Sequence, residues 1–388
     1  MATSLLPRRV LAAAAVAALA CGLAGCSSAS AAPATGAVSF AVGGRSNMPP
    51  IQLDGRAMAV LDEAVENQSL ASIVVADGDP SVVASSRLKT EGENETAREQ
   101  SRQRNRQALA DGLVAAAADD PQADLLTALD LAARSIRSET GPHTIVVVDS
   151  GLSTVAPLDF TQPGMLEADP QEVVDQLRNA GALPELDGTV VVLQGIGDTA
   201  EPQERLSIAQ RASLLATWEA VIKAAGASSV DFEDAPLEGE PEEDLPDVSP
   251  VPLPLPYICT PGRVELGGGD VAFEADTAVF RDAQAAEAVI APIAEQMVAG
   301  GMTARVTGTT ADVGEIDGQL VLSRDRAQAV ADVLADLGVQ PGDLTVEGLG
   351  SDFPEYVPDH DANGDLIPGA AAQNRKVTIT LSGTISCS

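Results

Sequence analysis

The stretch RVTGTTADVGEIDGQLVLSRDRAQAV, residues 305–330, decides how this chain is read. It divides into a short apolar strand, a Gly-punctuated loop from Gly308 to Gly318, and a helix carrying Arg326. Val330, Leu334 and Leu337 recur at helical spacing and give that helix an apolar face, and Gly338 fits its C-terminal stop. Downstream, Leu344–Gly350 reads as a strand, and Gln373-Asn374-Arg375-Lys376 leads into a final alternating strand. Upstream, Val271–Phe273 reads as a strand and Ala283–Ala299 as a helix kinked at Pro292. The expectation is two helices against a small mixed sheet.

These residues resemble the OmpA-like C-terminal domain, whose members hold bacterial envelope proteins against peptidoglycan. The family pattern is roughly G-x-T-D-x-x-G, then N-x-x-L-S-x-x-R-A, then a late N-R-[RK]-V. Gly308, Thr310, Gly314, Leu322, Ser323, Arg326, Ala327, Asn374, Arg375 and Val377 all fall on it. The ligand-binding Asp does not: Ala311 stands in its place, and Asp312 follows. The resemblance implies that Arg326 grips a carboxylate of diaminopimelate with its planar fork. The motif Asp would take the ammonium, and Ala311 has no charge to offer. Asp312 is the displaced substitute, in a loop whose glycines permit unusual dihedrals; Glu315 and Asp317 are other acids nearby. Thr310, Asn374 and Arg375 complete the candidate ligand set, although Asn374 and Arg375 serve equally well to hold a loop.

Composition supports the same setting. A chain of 388 residues has room for about two domains. Hydrophobic residues make up 45% and aromatics only 2%, so the cores are built from Ala, Val and Leu. The formal net charge of −34 argues against nucleic acid and anionic lipid headgroups as partners. At the N-terminus, Arg8 and Arg9 precede an Ala-rich apolar run ending in Leu23-Ala24-Gly25-Cys26. This looks like a bacterial lipoprotein signal over residues 1–25, with Cys26 receiving the lipid that holds the protein at the membrane. Residues 26–36 form a small, polar tether. Export leaves Cys259 and Cys387, on either side of the OmpA-like segment, as a disulfide pair.

Residues 37–235 alternate strands and helices, which implies an α/β domain: a doubly wound, mostly parallel sheet covered on both faces. Thr144–Val148 and Thr189–Leu193 read as buried parallel strands, Asp124–Ile136 and Glu204–Ala224 as helices, and Ser85–Arg106 as an exposed polar segment. This half resembles, more loosely, the von Willebrand factor A-like fold, whose metal site uses D-x-S-x-S after the first strand. Here Gly43-Gly44-Arg45-Ser46-Asn47 lacks that Asp, while Thr127, Asp149 and Thr154 loosely echo the remaining positions. With Arg45 where a cation should sit, the metal site is expected to be absent or altered. Residues 236–257 are acidic and Pro-punctuated, read as a stiff spacer, and 258–388 form the OmpA-like domain.

Catalysis finds little support. His143 and His360 are the only histidines, and no G-x-S-x-G or phosphate-binding loop occurs. Gly195-Ile196-Gly197-Asp198-Thr199-Ala200 has dinucleotide spacing, yet Asp198, Glu201 and Glu204 would repel a pyrophosphate. Asp359, Asp361, Asn363 and Asp365, with Gly364 between the last two, imitate a calcium loop without the acid expected at position 12, where Ala370 stands. The expected protein is a non-catalytic, extracytoplasmic lipoprotein that meets peptidoglycan through Arg326. The alternative is an interaction or sensing protein whose α/β domain binds a protein or small ligand.

Overall fold

The structure, a computed structural model, describes residues 36–387. The signal segment and Cys26 therefore lie outside the described residues. Six strands build the N-terminal sheet: β1 (Ala37–Val42), β2 (Leu70–Val75), β3 (Ser81–Arg87), β4 (His143–Val148), then β7 (Val190–Gln194) and β8 (Ser229–Glu233), with a small hairpin β5–β6 (Thr154–Val155, Leu158–Asp159) between. Their order is β3-β2-β1-β4-β7-β8. All neighbours pair in parallel except β3, which runs antiparallel along the edge.

Apolar runs make this sheet because both faces are covered. Ile145 and Val147 pack under α3 (Leu125–Ile136), α4 (Pro170–Asn179) and α5 (Ile208–Ala224). Val146 and Val148 face the opposite way, toward α1 (Gly55–Glu66) and α2 (Glu95–Val114). The mostly parallel α/β expectation thus holds. Two details differ from the sequence reading. The polar stretch at 85–106 resolves into the edge strand β3 and helix α2; β3 is almost wholly exposed and so carries no burial signal. Helix α5 begins at Ile208 rather than Glu204, because Ser207 and Gln210 form a reciprocal capping box there.

The acidic, Pro-rich segment is extended, as its prolines require, but it is not a free spacer. Val248 and Val251 are buried. The Val251 amide donates to Gln203 Oε1 (2.6 Å), Ser46 Oγ donates to the Pro246 carbonyl (2.9 Å), and Gln210 Nε2 donates to the Pro254 carbonyl (2.9 Å). The segment is strapped back along the α/β domain.

The C-terminal domain has a five-stranded mixed sheet in the order β12-β11-β13-β10-β9. Its elements are β9 (Tyr257–Thr260), β10 (Arg263–Gly267), α6 (Ala283–Gly300), β11 (Ala304–Gly308), α7 (Ile316–Asp336), β12 (Leu344–Gly348), α8 (Pro368–Asn374) and β13 (Lys376–Leu381). Val271–Phe273, expected as a strand, instead leaves a 3-10 turn at Gly269–Val271 and makes a single bridge from Phe273 to Phe280. Helix α7 starts at Ile316, so Gly318 lies in its first turn rather than ending the loop. Cys259 and Cys387 are disulfide-bonded, fastening β9 to the chain beyond β13. The described residues cluster as one compact unit, within which α8 meets α4 and the turn Met165–Glu167 of the α/β domain.

Candidate functional site

Helix α7 crosses β11 and β12 at very close range, and this crossing sets the site. A Cβ on Gly308 would collide with the Ser323 carbonyl, and one on Gly348 would lie 2.6 Å from the Leu320 carbonyl. Only glycine fits where helix and strand backbones approach this closely. Ser323 is fully buried, and its Oγ accepts from the Gly350 amide (3.0 Å) while donating to the Leu320 carbonyl (3.1 Å). The motif glycine and serine thus fix α7 against the sheet, and Arg326 follows one turn later.

Arg326 is 6% exposed. Its Nε donates to the Thr277 carbonyl (2.8 Å), and the guanidinium carbon lies 5.3 Å from the centre of the Phe273 ring. Among the described residues no carboxylate is within ion-pair distance of it. Among the described residues its terminal amino groups have no acceptor, and the side chain lines an open cleft of about 560 Å³. Burial pushes its pKa down to about 10, with the neighbouring Arg375 and Arg281 charges adding to the effect and Asp276 opposing it. The side chain remains cationic at neutral pH, as an uncompensated charge in a partly desolvated site.

The cleft lies where the two domains meet. Arg326, Thr310, Ala311 and Asp276 line it from the C-terminal domain, and Glu167 and Glu172 from the α/β domain. Thr310 is buried, and among the described residues its hydroxyl oxygen has no partner. Asp312, expected to substitute for the missing acid, does not line the cleft. Its carboxylate accepts from Gln319 Nε2 (3.0 Å) and Ser351 Oγ (3.4 Å), and its amide donates to Asp359 Oδ2 (2.9 Å). Asn374 is fully buried and holds the long loop before β13: Nδ2 donates to the Val357 carbonyl (2.7 Å) and to Asp359 Oδ2 (3.0 Å), and Oδ1 accepts from the Val357 amide (2.9 Å). Arg375 lines the cleft but is engaged by Glu172 of α4 through both terminal nitrogens, one at 3.0 Å. Burial raises the Glu172 carboxyl above its ordinary range, while Arg375 opposes the rise.

Glu167 reaches from the α/β domain to the backbone at Gly268 and Gly269. Its pKa is pushed up to about 7 by burial, opposed by a hydrogen bond from the Gly269 amide. The Glu167 carboxylate fills the space a Cβ on Gly268 would need. Glu167, Glu172, Asp276, Thr277 and Phe273 were not legible as site residues. The Phe273 and Phe280 rings stack at 4.6 Å, a contact that no motif in the sequence records.

The loop with calcium-like spacing is tied by hydrogen bonds within the protein. Asp359 is fully buried and accepts from Tyr356, Asn374, His360 and the Asp312 amide. Burial works against its charge, but those hydrogen bonds outweigh it and hold the carboxyl below its usual range. Asp361 Oδ1 caps its own turn by accepting from the Asn363 (2.8 Å) and Asp365 (2.9 Å) amides, while Asp365 accepts from Asn179 Nδ2 (2.9 Å) of the α/β domain. Among the described residues no group of three or more His, Cys, Asp or Glu is placed to hold a metal ion.

At the C-terminal ends of β1 and β4, Arg45 and Asp149 form a buried bidentate pair, Nη1 to Oδ2 at 2.7 Å and Nη2 to Oδ1 at 3.0 Å. Arg45 also donates to the Ala76 carbonyl and to Ser150 Oγ (3.3 Å). Thr127 and Thr154 do not join them: the Thr127 amide (2.9 Å) and hydroxyl (2.6 Å) donate to Asp124, the N-cap of α3, and Thr154 Oγ1 donates to Gln122 Oε1 (2.9 Å). The turn with dinucleotide spacing is tied by Asp198, which accepts from Arg211 (2.8 Å) and from the Leu237 amide (2.9 Å), and no helix starts behind it.

Residues 272–364 match the OmpA family, and this part of the chain is an OmpA domain. No curated protein matches the chain in sequence. Among solved structures, the chain is similar to the peptidoglycan-associated lipoprotein from Burkholderia pseudomallei (25% identity over 29% of this chain and 88% of that one, TM-score 0.24). It is similar to the cell wall anchor of the T6SS from Pseudomonas aeruginosa (25% identity, 32% and 81% covered, TM-score 0.26). It is also similar to the periplasmic domain of Helicobacter pylori MotB (21% identity, 33% and 80% covered, TM-score 0.26). Among the described residues no helix is long and apolar enough to cross a membrane.

Proposed function

We propose that this chain, with an OmpA domain at residues 272–364, is a non-catalytic lipoprotein of the cell envelope that associates with peptidoglycan through Arg326. Lipid on Cys26 ties one end to the membrane, and the C-terminal domain engages a carboxylate of the wall peptide. One observation carries this reading. Arg326 is held by Thr277 and Phe273 with its terminal amino groups unpaired in an open cleft. A buried guanidinium without a carboxylate is costly, and a ligand carboxylate that pairs with it removes that cost. Full-length protein is expected to sediment with purified sacculi, and Arg326→Ala to abolish this. Sedimentation that survives the substitution unchanged overturns the mechanism.

We read the N-terminal half as a von Willebrand factor A-like domain in which the Arg45 guanidinium occupies the place of the metal ion. The buried Arg45–Asp149 pair supports this reading. Such a domain offers a protein-binding or structural surface rather than a metal-dependent one. Its direct part in the wall site is to supply the Glu167 and Glu172 side of the cleft.

A further inference from the structure

The family acid is absent at Ala311, and Asp312 faces Gln319 and Ser351 rather than the cleft. Another acid is presented to the same cleft by the turn that holds Arg326. Asp276 lines the cleft and is exposed, and among the described residues its side chain forms no hydrogen bond or ion pair. Its backbone is left-handed, with φ of 53°, inside a turn closed by the Glu274 amide on the Val279 carbonyl (2.8 Å) and the Thr277 amide on the Glu274 carbonyl (3.2 Å). The next residue, Thr277, supplies the carbonyl that accepts from Arg326 Nε (2.8 Å). One turn therefore positions both an unpaired cation and an unpaired anion.

The two charges influence each other without pairing: Asp276 stabilises the Arg326 cation, yet it is not within ion-pair distance of it. Asp276 and Glu172 line the same cleft, Asp276 from the C-terminal domain and Glu172 from the α/β domain. Oppositely charged groups separated across an open, partly desolvated cleft suit a ligand that itself carries both charges. We propose that Asp276 takes the part of the missing motif acid, accepting the amine of an amino-acid group whose carboxylate lies on Arg326. This rests on the wall-binding reading above and adds a specificity residue to it. A ligand with a blocked amine gains nothing from Asp276 and leaves that carboxylate to water.

The test is calorimetric titration of the full-length protein with meso-diaminopimelate and with pimelate, the same dicarboxylate without amines. Wild-type protein is expected to favour diaminopimelate by about tenfold or more, the scale of a charge-assisted contact in a partly desolvated site. Asp276→Asn keeps a residue tolerant of the left-handed backbone. It should erase the preference while leaving pimelate binding in place. Glu315→Gln, which removes another acid lining the cleft, should retain the preference. Ala311→Asp added to Asp276→Asn should restore it. Binding that requires Arg326 but is indifferent to Asp276 overturns this inference alone. Binding that ignores Arg326→Ala overturns the function on which it rests. Absence of any preference in the wild type also overturns the inference.

Discussion

Removing Asp149 strips the Arg45 guanidinium of the only carboxylate that pairs with it among the described residues, in a place where both side chains are essentially inaccessible, at 0% and 1% exposure. Two of the four hydrogen bonds to Arg45 disappear, leaving the Ala76 carbonyl and Ser150 Oγ, and the Gly151 amide loses its acceptor (2.6 Å). Breaking a buried ion pair from one side costs about 3–5 kcal/mol, because the remaining charge stays desolvated without compensation. Asp149→Ala is therefore expected to destabilise the α/β domain by that amount. Arg45→Met should cost a similar amount by orphaning the carboxylate. The double variant should cost less than the sum of the two by about 1–3 kcal/mol, since neither charge is then left behind. Denaturant unfolding followed by tryptophan fluorescence reads this directly. Trp218 is the only tryptophan, is fully buried, and donates from Nε1 to the Gly151 carbonyl (2.8 Å) beside the pair. A cost below about 1 kcal/mol for Asp149→Ala, the range of an exposed pair, would refute the reasoning that this pair is fully desolvated.

Two further outcomes follow from the cleft and the disulfide. Glu167 has a folded pKa of about 7 against an ordinary value of 4.5, so the folded state holds its proton more tightly and stability falls as pH rises between those values. Glu167→Gln should match wild type near pH 4 and exceed it at pH 8 by on the order of 1–3 kcal/mol; equal stability at pH 8 would contradict the burial of this carboxyl. Paired replacement of Cys259 and Cys387 by Ser opens a loop with a sequence separation of 128 residues and should cost ~4–5 kcal/mol. Far-ultraviolet circular dichroism should register this loss at lower denaturant, and an unchanged midpoint would show that the bond is dispensable.

What the sequence disclosed follows from where each signal is stored. The crossing of α7 over β11 was readable because Gly308 and Ser323 are dictated by local contact, and a short motif records such contacts. The parallel strands β1, β4 and β7 were readable as continuous apolar runs, since both faces of their sheet are buried. Strand β3 was not, because it is an exposed edge defined by its pairing with β2 alone. The pairing of Cys259 with Cys387 was legible as an expectation from compartment and position, whereas the meeting of Arg45 with Asp149, over a hundred residues apart, was not. The cleft was legible only by half. Arg326 stands in a motif, whereas Glu167 and Glu172 reach it from over a hundred residues away through a domain contact no local pattern encodes. Asp312 misled for a related reason: adjacency in sequence to Ala311 says nothing of direction, and its carboxylate turns toward Gln319 and Ser351.

The proline-rich segment at 236–257 also bears on distance. A free polyproline stretch of that length would act as a boom, adding about 3 Å per residue between the domains. Strapped along the α/β domain through Ser46, Gln203 and Gln210, it adds no span. The separation of the two domains is set by their direct contact, where α8 meets α4, and not by the length of this segment. Residues inserted into the strapped segment are therefore expected to loop outward and leave that separation unchanged, whereas in a free boom each would move the domains further apart.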